Sequence, residues 1–228
     1  DGIEAREEGF NAAWAEAATA GWDTPYEVSP GDFSIYWWPS MDTDTAGNLH
    51  MVYMDPLWLD VFYTSNQGGS WSPPISVIGN DLYGMCPDIF VDDWNNVHVA
   101  YMTSDMIGDT IHAVSRWGNA WGPVQNVSGA DDDCWLPSLV RESGPGPVNS
   151  ELHVAYAYDD GASISIQHNQ TTGGVWNAAS NTASGADDDC DYPSLDIDGA
   201  DGLHLAYEYW DGGGDANIQY NNMPYGGA

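Results

Sequence analysis

Two loops of nearly identical sequence carry the residues best suited to chemistry. Residues 128–138 read SGADDDCWLPS, and residues 184–194 read SGADDDCDYPS. Three consecutive carboxylates repel one another unless they are solvated or bridged by a cation, and carboxylate oxygens are preferred ligands of Ca²⁺. The repeated triplet therefore predicts calcium as a cofactor, and the alternative is a pair of solvated acidic loops. The predicted metal ligands are Asp131, Asp132, Asp133, Asp187, Asp188 and Asp189.

Tryptophans and further acids stand in the same loops and in neighbouring ones. An indole face stacks on the C–H face of a sugar ring, and a carboxylate accepts hydrogen bonds from sugar hydroxyls. This combination predicts a glycan-binding surface, and the alternative is that the rings pack between loops. The candidate ligand-binding residues are Trp37, Trp38, Trp58, Trp135, Trp210, Asp159, Asp160 and Asp191.

The charge of the chain excludes several classes of partner. The 228 residues include 35 Asp and Glu against three Arg and Lys together, which gives a formal net charge of −32. Nucleic-acid binding needs a cationic footprint, and an anionic membrane surface repels such a chain. No apolar run is long enough for a membrane span, and no signal peptide is visible. The composition favours an extracellular or cell-surface protein, with adaptation to high salt as another reason for the acidity.

The chain is built from a repeat that recurs four times. Residues 38–53, 86–101, 136–156 and 192–207 align, and each reads as a strand, a polar turn and a strand carrying the pattern [LV]-H-x-[VA]-Y. A third apolar stretch follows each copy, and after the first three a Trp introduces a fourth. Four short strands in about 50 residues predict a blade of a β-propeller.

The repeat predicts an all-β fold and one domain over residues 1–228. The expected blades cover about 32–79, 80–129, 130–185 and 186–228, and residues 22–30 are predicted to close the last blade as its outer strand. Residues 1–31 then hold the closing strand and an N-terminal extension. The alternatives are a five-bladed ring, a fragment of a larger propeller, and an Ala-rich helix over residues 3–20.

The hairpin at residues 64–71, Thr-Ser-Asn-Gln-Gly-Gly-Ser-Trp, resembles an Asp-box, with Asn66 in the place of the Asp. Weaker copies end at Trp121 and Trp176. The chain therefore resembles the BNR, or sialidase-type, repeat propellers. That resemblance implies a ligand face made by the loops from strand 4 to strand 1 and from strand 2 to strand 3. Sialidases of this family use three Arg, which this sequence does not bring together, so a lectin-like rather than catalytic member is expected.

Four histidines and two cysteines also recur at fixed positions of the repeat. Equivalent histidines in adjacent blades are expected about 14 Å apart, which is too far for one metal with Zn–N bonds of about 2.0–2.1 Å. Each is therefore expected to form hydrogen bonds across a blade interface. Cys134 and Cys190 can form a disulfide only if their Cα atoms come within about 7 Å, which the sequence leaves open. The histidines are His50, His98, His153 and His204.

These observations favour a secreted or cell-surface, non-catalytic binding module for glycans, with calcium supporting its acidic loops. Its expected partners are a glycan or another cell-surface ligand, and copies of itself. A structural subunit of an extracellular appendage or surface layer is the first alternative. A glycoside hydrolase domain is the second, since it needs only two suitably separated carboxylates, although nothing in the sequence singles out such a pair.

Overall fold

A computed structural model describes residues 25, 27–29, 36–79, 83–104, 108–143, 150–185, 187 and 189–224. The chain divides into two compact units, Asp1–Phe33 and Ser34–Ala228. The closing strand predicted at residues 22–30 falls largely outside the described residues, and the helix considered for residues 3–20 falls entirely outside them. The single 1–228 domain and its blade boundaries therefore stay predictions.

The described part of the second unit contains seventeen strands in four antiparallel sheets, so the all-β prediction is confirmed. The first sheet has the order β1 (Trp37–Thr43), β2 (Leu49–Asp55), β3 (Asp60–Ser65) and β4 (Ile75–Ser76). The second has β5 (Gly84–Val91), β6 (Val97–Ser104) and β7 (Asp109–Trp117), with β8 (Ala120–Trp121) and β9 (Gln125–Asn126) both on β7. The third has β10 (Cys134–Arg141), β11 (Leu152–Asp159) and β12 (Ile164–Thr172), with β13 (Val175–Trp176) and β14 (Asn181–Thr182) on β12. The fourth has β15 (Cys190–Ile197), β16 (Leu203–Trp210) and β17 (Ala216–Met223).

In three of the four sheets, the polar turn between the first two strands is held by one aspartate. In the first sheet, Asp44 Oδ1 accepts hydrogen bonds from the backbone N–H groups of Ala46 and Asn48, at 2.9 and 2.8 Å. Asp92 and Asp198 accept equivalent pairs of backbone hydrogen bonds in the second and fourth sheets. A short carboxylate side chain mimics a backbone turn in this way, so these aspartates fix the hairpins.

The core lies between consecutive sheets, because the second strand of each of the first three sheets is covered on both faces. Val52, Ala100 and Ala155 stand at equivalent positions of β2, β6 and β11, and all three are fully buried. Apolar side chains of the first and second sheets form one cluster, and two further clusters join the second sheet to the third and the third to the fourth. This stacking explains why apolar residues occupy both alternating sets of the strands.

The fourth sheet differs from the others at its outer edge. Val61, Ile111 and Ile166 occupy one position of the third strand in the first three sheets and are 0% exposed, whereas Ile218 at the same position of β17 is 76% exposed. In the first three sheets a short outer strand follows the third strand and pairs with it. Among the described residues no strand pairs with the outer edge of β17, which leaves its apolar side chains open.

Candidate active site

The first strands of all four sheets begin around one central cavity of about 330 Å³. Each contributes the same short stretch, a proline together with the residues beside it: Trp38, Pro39, Ser40, Cys86, Pro87, Asp88, Leu136, Pro137, Ser138, Tyr192 and Pro193. The repeat thus places one structural position four times around a single concave space. We call the side on which these strands begin the cavity face.

The residue before each proline has an unusual backbone conformation. Trp38, Cys86, Leu136 and Tyr192 have φ of 47°, 49°, 52° and 50°, values rare for residues other than glycine. The pairing register of each first strand shifts at the same place, which marks a β-bulge. Such strain persists only where the surrounding structure enforces it, and it is concentrated at ligand sites. The fourfold recurrence of this strain makes the central cavity the strongest candidate site.

Among the described residues, Asp88 is the one carboxylate in the wall of the cavity. The residue after the proline is serine in the other three sheets, at Ser40, Ser138 and Ser194. Ser40 Oγ donates to Asp88 Oδ1 at 2.7 Å, and the N–H of Leu139 donates to Asp88 Oδ2 at 2.8 Å. Ser138 accepts the corresponding N–H of the next sheet, that of Leu195, at 2.9 Å. Serine can therefore make this contact between sheets, and aspartate adds an ionisable group that the fold does not require.

The surroundings of Asp88 favour its protonated form. Burial raises the pKa of its carboxyl, and the nearby Asp42 carboxylate acts in the same direction. The hydrogen bonds from Ser40 and Leu139 oppose this shift without cancelling it. A carboxyl with a raised pKa beside a cavity is suited to donate a proton.

The predicted tryptophans lie toward the strand ends that form the cavity face, and Trp38 is the one that lines the described cavity wall. Trp37 and Trp38 precede the first proline and are partly exposed, and Trp58 in the loop after β2 is 75% exposed. Trp210 at the end of β16 is also exposed. Trp135 is partly buried, and its indole Nε1–H donates to Asp191 Oδ1 at 2.8 Å. Open rings of this kind are available for stacking on sugars.

Two of the predicted ligand-binding acids have a structural role. Asp159 accepts the N–H of Gly161 at 2.7 Å, and Asp160 accepts those of Ala162 and Ser163 at 2.8 and 2.9 Å.

Sequence reasoning missed Asp88 and Tyr192, which line the cavity. The signal for Asp88 was present, since Asp replaces Ser after the repeated proline.

The acidic triplets are partly tied to the fold. Asp131 Oδ2 accepts hydrogen bonds from Tyr156 Oη at 3.1 Å and Ser180 Oγ at 2.6 Å. Asp187 Oδ2 accepts the equivalent bond from Tyr207 Oη at 2.7 Å. No group of three or more potential metal ligands comes together within the described ranges, which omit Asp188. The calcium site therefore stays a prediction.

Calorimetry can test the calcium prediction. An ion that binds only the native state raises stability by about 2.7 kcal/mol at a hundredfold excess over its Kd. The prediction requires a higher unfolding temperature in millimolar Ca²⁺ than in excess EDTA at matched ionic strength. An equal rise with Mg²⁺, or no rise, would show that the triplets form no specific calcium site and that their carboxylates are only solvated or hydrogen-bonded.

The repeated histidines bond within their own sheets, not across the interface between sheets as the repeat pattern suggested. His98 Nε2 lies 3.2 Å from Asp92 Oδ2, and its Nδ1 lies 2.8 Å from Ser115 Oγ on the third strand of the same sheet. His50, His153 and His204 also lie between the acid of their turn and a third-strand side chain. The correction arises because the turn brings its acid back over the second strand. Each of the three cysteines is a buried thiol outside any disulfide, so Cys134 and Cys190 are not bonded to each other.

Comparison of the sequence gives no match to a protein-family model and none to a curated protein. The fold does match solved structures. A protein of unknown function from Dyadobacter fermentans DSM 18053 has a TM-score of 0.66 at 10% identity, over 88% of this chain and 64% of its own. A xylan β-1,4-xylosidase from Bacillus halodurans C-125 has 0.54 at 18% identity, over 91% and 46%. An α-L-arabinofuranosidase from Lactobacillus brevis has 0.54 at 10% identity, over 82% and 67%.

These matches support a propeller-type fold and correct the function expected from the sequence. The chain spans less than two thirds of the length of the first two matched structures. Two of the three matched proteins are named as enzymes that act on glycosides. The preference for a non-catalytic binding module is therefore wrong, and the glycoside hydrolase alternative fits better. Identities of 18% or less establish the fold alone, so the activity of this chain is a proposal.

Proposed function

We propose that this chain is a glycoside hydrolase domain whose substrate binds over the central cavity. The observation that carries the proposal is Asp88, a carboxyl with a raised pKa in the wall of a strained, concave site. Exposed indoles on the same face support a substrate made of sugar rings. The names of the matched enzymes give the same class of substrate.

Asp88 acts in this proposal as the proton donor to the leaving oxygen. Hydrolysis of a glycosidic bond needs a second carboxylate, about 5–5.5 Å away in retaining enzymes and about 6.5–9.5 Å away in inverting ones. We assign that role to Asp191, which immediately precedes the cavity-lining Tyr192. Its Oδ1 is oriented by the indole N–H of Trp135 and the backbone N–H of Tyr192, each at 2.8 Å.

The substrate is proposed to be a neutral polysaccharide of pentoses, such as xylan or arabinan. The two described arginines are already engaged, since Arg116 lies 5.0 Å from the centre of the Tyr63 ring and Arg141 pairs with Asp92. The net charge of −32 also repels acidic sugars. The test is release of reducing sugar from xylan, arabinan and arabinoxylan, with a uronate polymer as comparison. No release from any neutral polymer would overturn the proposal.

The aromatic side chains of the cavity face are expected to bind the polymer without taking part in the chemistry. Trp58→Ala removes an exposed ring, so we expect KM for the polymer to rise roughly three- to tenfold at unchanged kcat. Leu57→Ala is the matched control, because Leu57 is a similarly exposed aliphatic side chain in the same loop. Equal kinetics in both variants would remove Trp58 from the substrate surface.

The finer assignment of the fold is also a proposal. The hairpin at residues 64–71 supports a BNR-type repeat, because Asn66 Oδ1 accepts the N–H of Leu49 at 2.6 Å and its carbonyl accepts that of Gly69 at 2.9 Å. A four-bladed propeller closed by residues 22–30 stays a prediction of the repeat. No helix among the described residues is long and apolar enough to cross a bilayer. A polysaccharide substrate and the acidic surface favour an extracellular site of action.

A further inference from the structure

A second cavity, of about 280 Å³, opens between the second and third sheets at the end opposite to the cavity face. Strand β10 runs from the central cavity at Leu136 to the second cavity at Arg141. At about 3.3 Å per residue the two sites are about 17 Å apart along the strand. The second cavity is therefore separate from the candidate active site.

The walls of the second cavity combine apolar surface with hydrogen-bonding groups. Trp117 and Trp176 supply indole rings, and Leu152 adds an aliphatic side chain. Trp176 is packed into the core, whereas Trp117 is about half exposed. Gly173 and Gly174 line the cavity with positive φ, and no atom lies within 4 Å of the position a Cβ would take. Both glycines thus leave the backbone beside the indole rings uncovered by side chains.

The polar side chains of this cavity suit a neutral ligand rich in hydroxyls. The Gln125 carboxamide, a donor and an acceptor, has no hydrogen-bond partner among the described residues. The hydroxyl of Ser115 is paired with His98 Nδ1 at 2.8 Å, and hydroxyls can both donate and accept. Arg141 is buried and its charge faces Asp92, so no free cation is offered to an acidic ligand.

We propose that this cavity binds one neutral sugar ring of a polysaccharide and so holds the polymer on the face opposite to the central cavity. One ring is the proposed unit because the volume lies just below the roughly 300–1,000 Å³ typical of pockets for larger ligands. The apolar face of the ring stacks on Trp117, and its hydroxyls bond to Gln125 and Ser115. The ligand class rests on the proposed function, whereas the cavity itself does not.

Binding of xylotriose and arabinotriose by isothermal titration calorimetry tests this site in Trp117→Ala and Gln125→Ala variants of the full chain. We expect at least one trisaccharide to bind, with tenfold or greater weakening in Trp117→Ala and a smaller loss in Gln125→Ala. Hydrolysis of a small chromogenic glycoside should be unchanged in both. Gly122→Ala is a subtler variant, because a Cβ there would lie 2.6 Å from Trp117 Cζ3 and displace the ring without removing it.

The outcomes separate this proposal from the proposed function. Loss of trisaccharide binding in Trp117→Ala would support the second site even if no hydrolysis is found. Unchanged affinity in both variants, with circular dichroism showing intact folds, would overturn the second site while leaving the active-site proposal standing. Absence of trisaccharide binding to the unaltered protein, or preferential binding of glucuronate, would also overturn it.

Discussion

Replacing Asp88 by serine is expected to abolish hydrolysis and to leave the fold intact. Serine already occupies the equivalent position in the other three sheets, and Ser138 makes the same contact to the backbone of the next sheet. The variant should therefore keep the hydrogen bond between sheets and lose only the carboxyl. Because general acid catalysis contributes about 10²–10⁴ to a rate, kcat should fall by at least a hundredfold.

The matched control is Asp196→Ser, which removes a carboxylate from β15 at an exposed position that does not line the cavity. Both variants should unfold within a few degrees of the unaltered protein, and only Asp88→Ser should be inactive. Full activity in Asp88→Ser would remove this residue from the chemistry. A large loss of stability would show instead that the carboxylate has a structural role that serine cannot fill.

The pH dependence of the reaction gives a separate test of the role of Asp88. Its pKa is raised by burial, so the carboxyl stays protonated at pH values at which an ordinary aspartate is ionised. A proton donor must be protonated, and activity should therefore fall as the pH rises through this raised pKa. The alkaline limb of the kcat/KM profile should disappear in Asp88→Ser. An alkaline limb retained in a partly active variant would assign the proton donation to another group.

The repeat made the fold predictable from sequence, because each copy carries its own turn residues and its own alternation of apolar side chains. The same repetition led the sequence analysis to candidate residues for the site that did not include Asp88. The conspicuous residues were those that recur, such as the triplets beginning at Asp131 and Asp187, and the structure ties both of these to tyrosines. The residue that distinguishes the site is Asp88, which departs from the repeat by replacing the serine that follows the proline in the other three sheets. Its position in a cavity wall becomes visible only when the four prolines are placed around one cavity. Convergence of strands from different sheets is a tertiary property that no single repeat contains.

The buried pair His153 and His168 is expected to destabilise the protein as the pH falls from about 6.5. His153 Nδ1 lies 3.0 Å from His168 Nε2, and the two rings stack with their centres 5.3 Å apart. Burial lowers the pKa of each histidine to about 4, so the folded protein keeps both neutral while the unfolded chain takes up protons. Stability is thus fully present above about pH 6.5 and is lost as the pH falls toward 4.

Urea unfolding at pH 7.5 and pH 5 should therefore show a greater loss of stability on acidification in the unaltered protein than in a His153→Gln, His168→Gln double variant. His204→Gln is the matched control, because His204 occupies the same repeat position as His153 and its side chain is well exposed. His50, His98 and His112 shift in the same direction and contribute equally to both proteins. Equal losses in the unaltered protein and the double variant would contradict the prediction, because they would show that this pair does not stay neutral in the folded protein while the unfolded chain takes up protons.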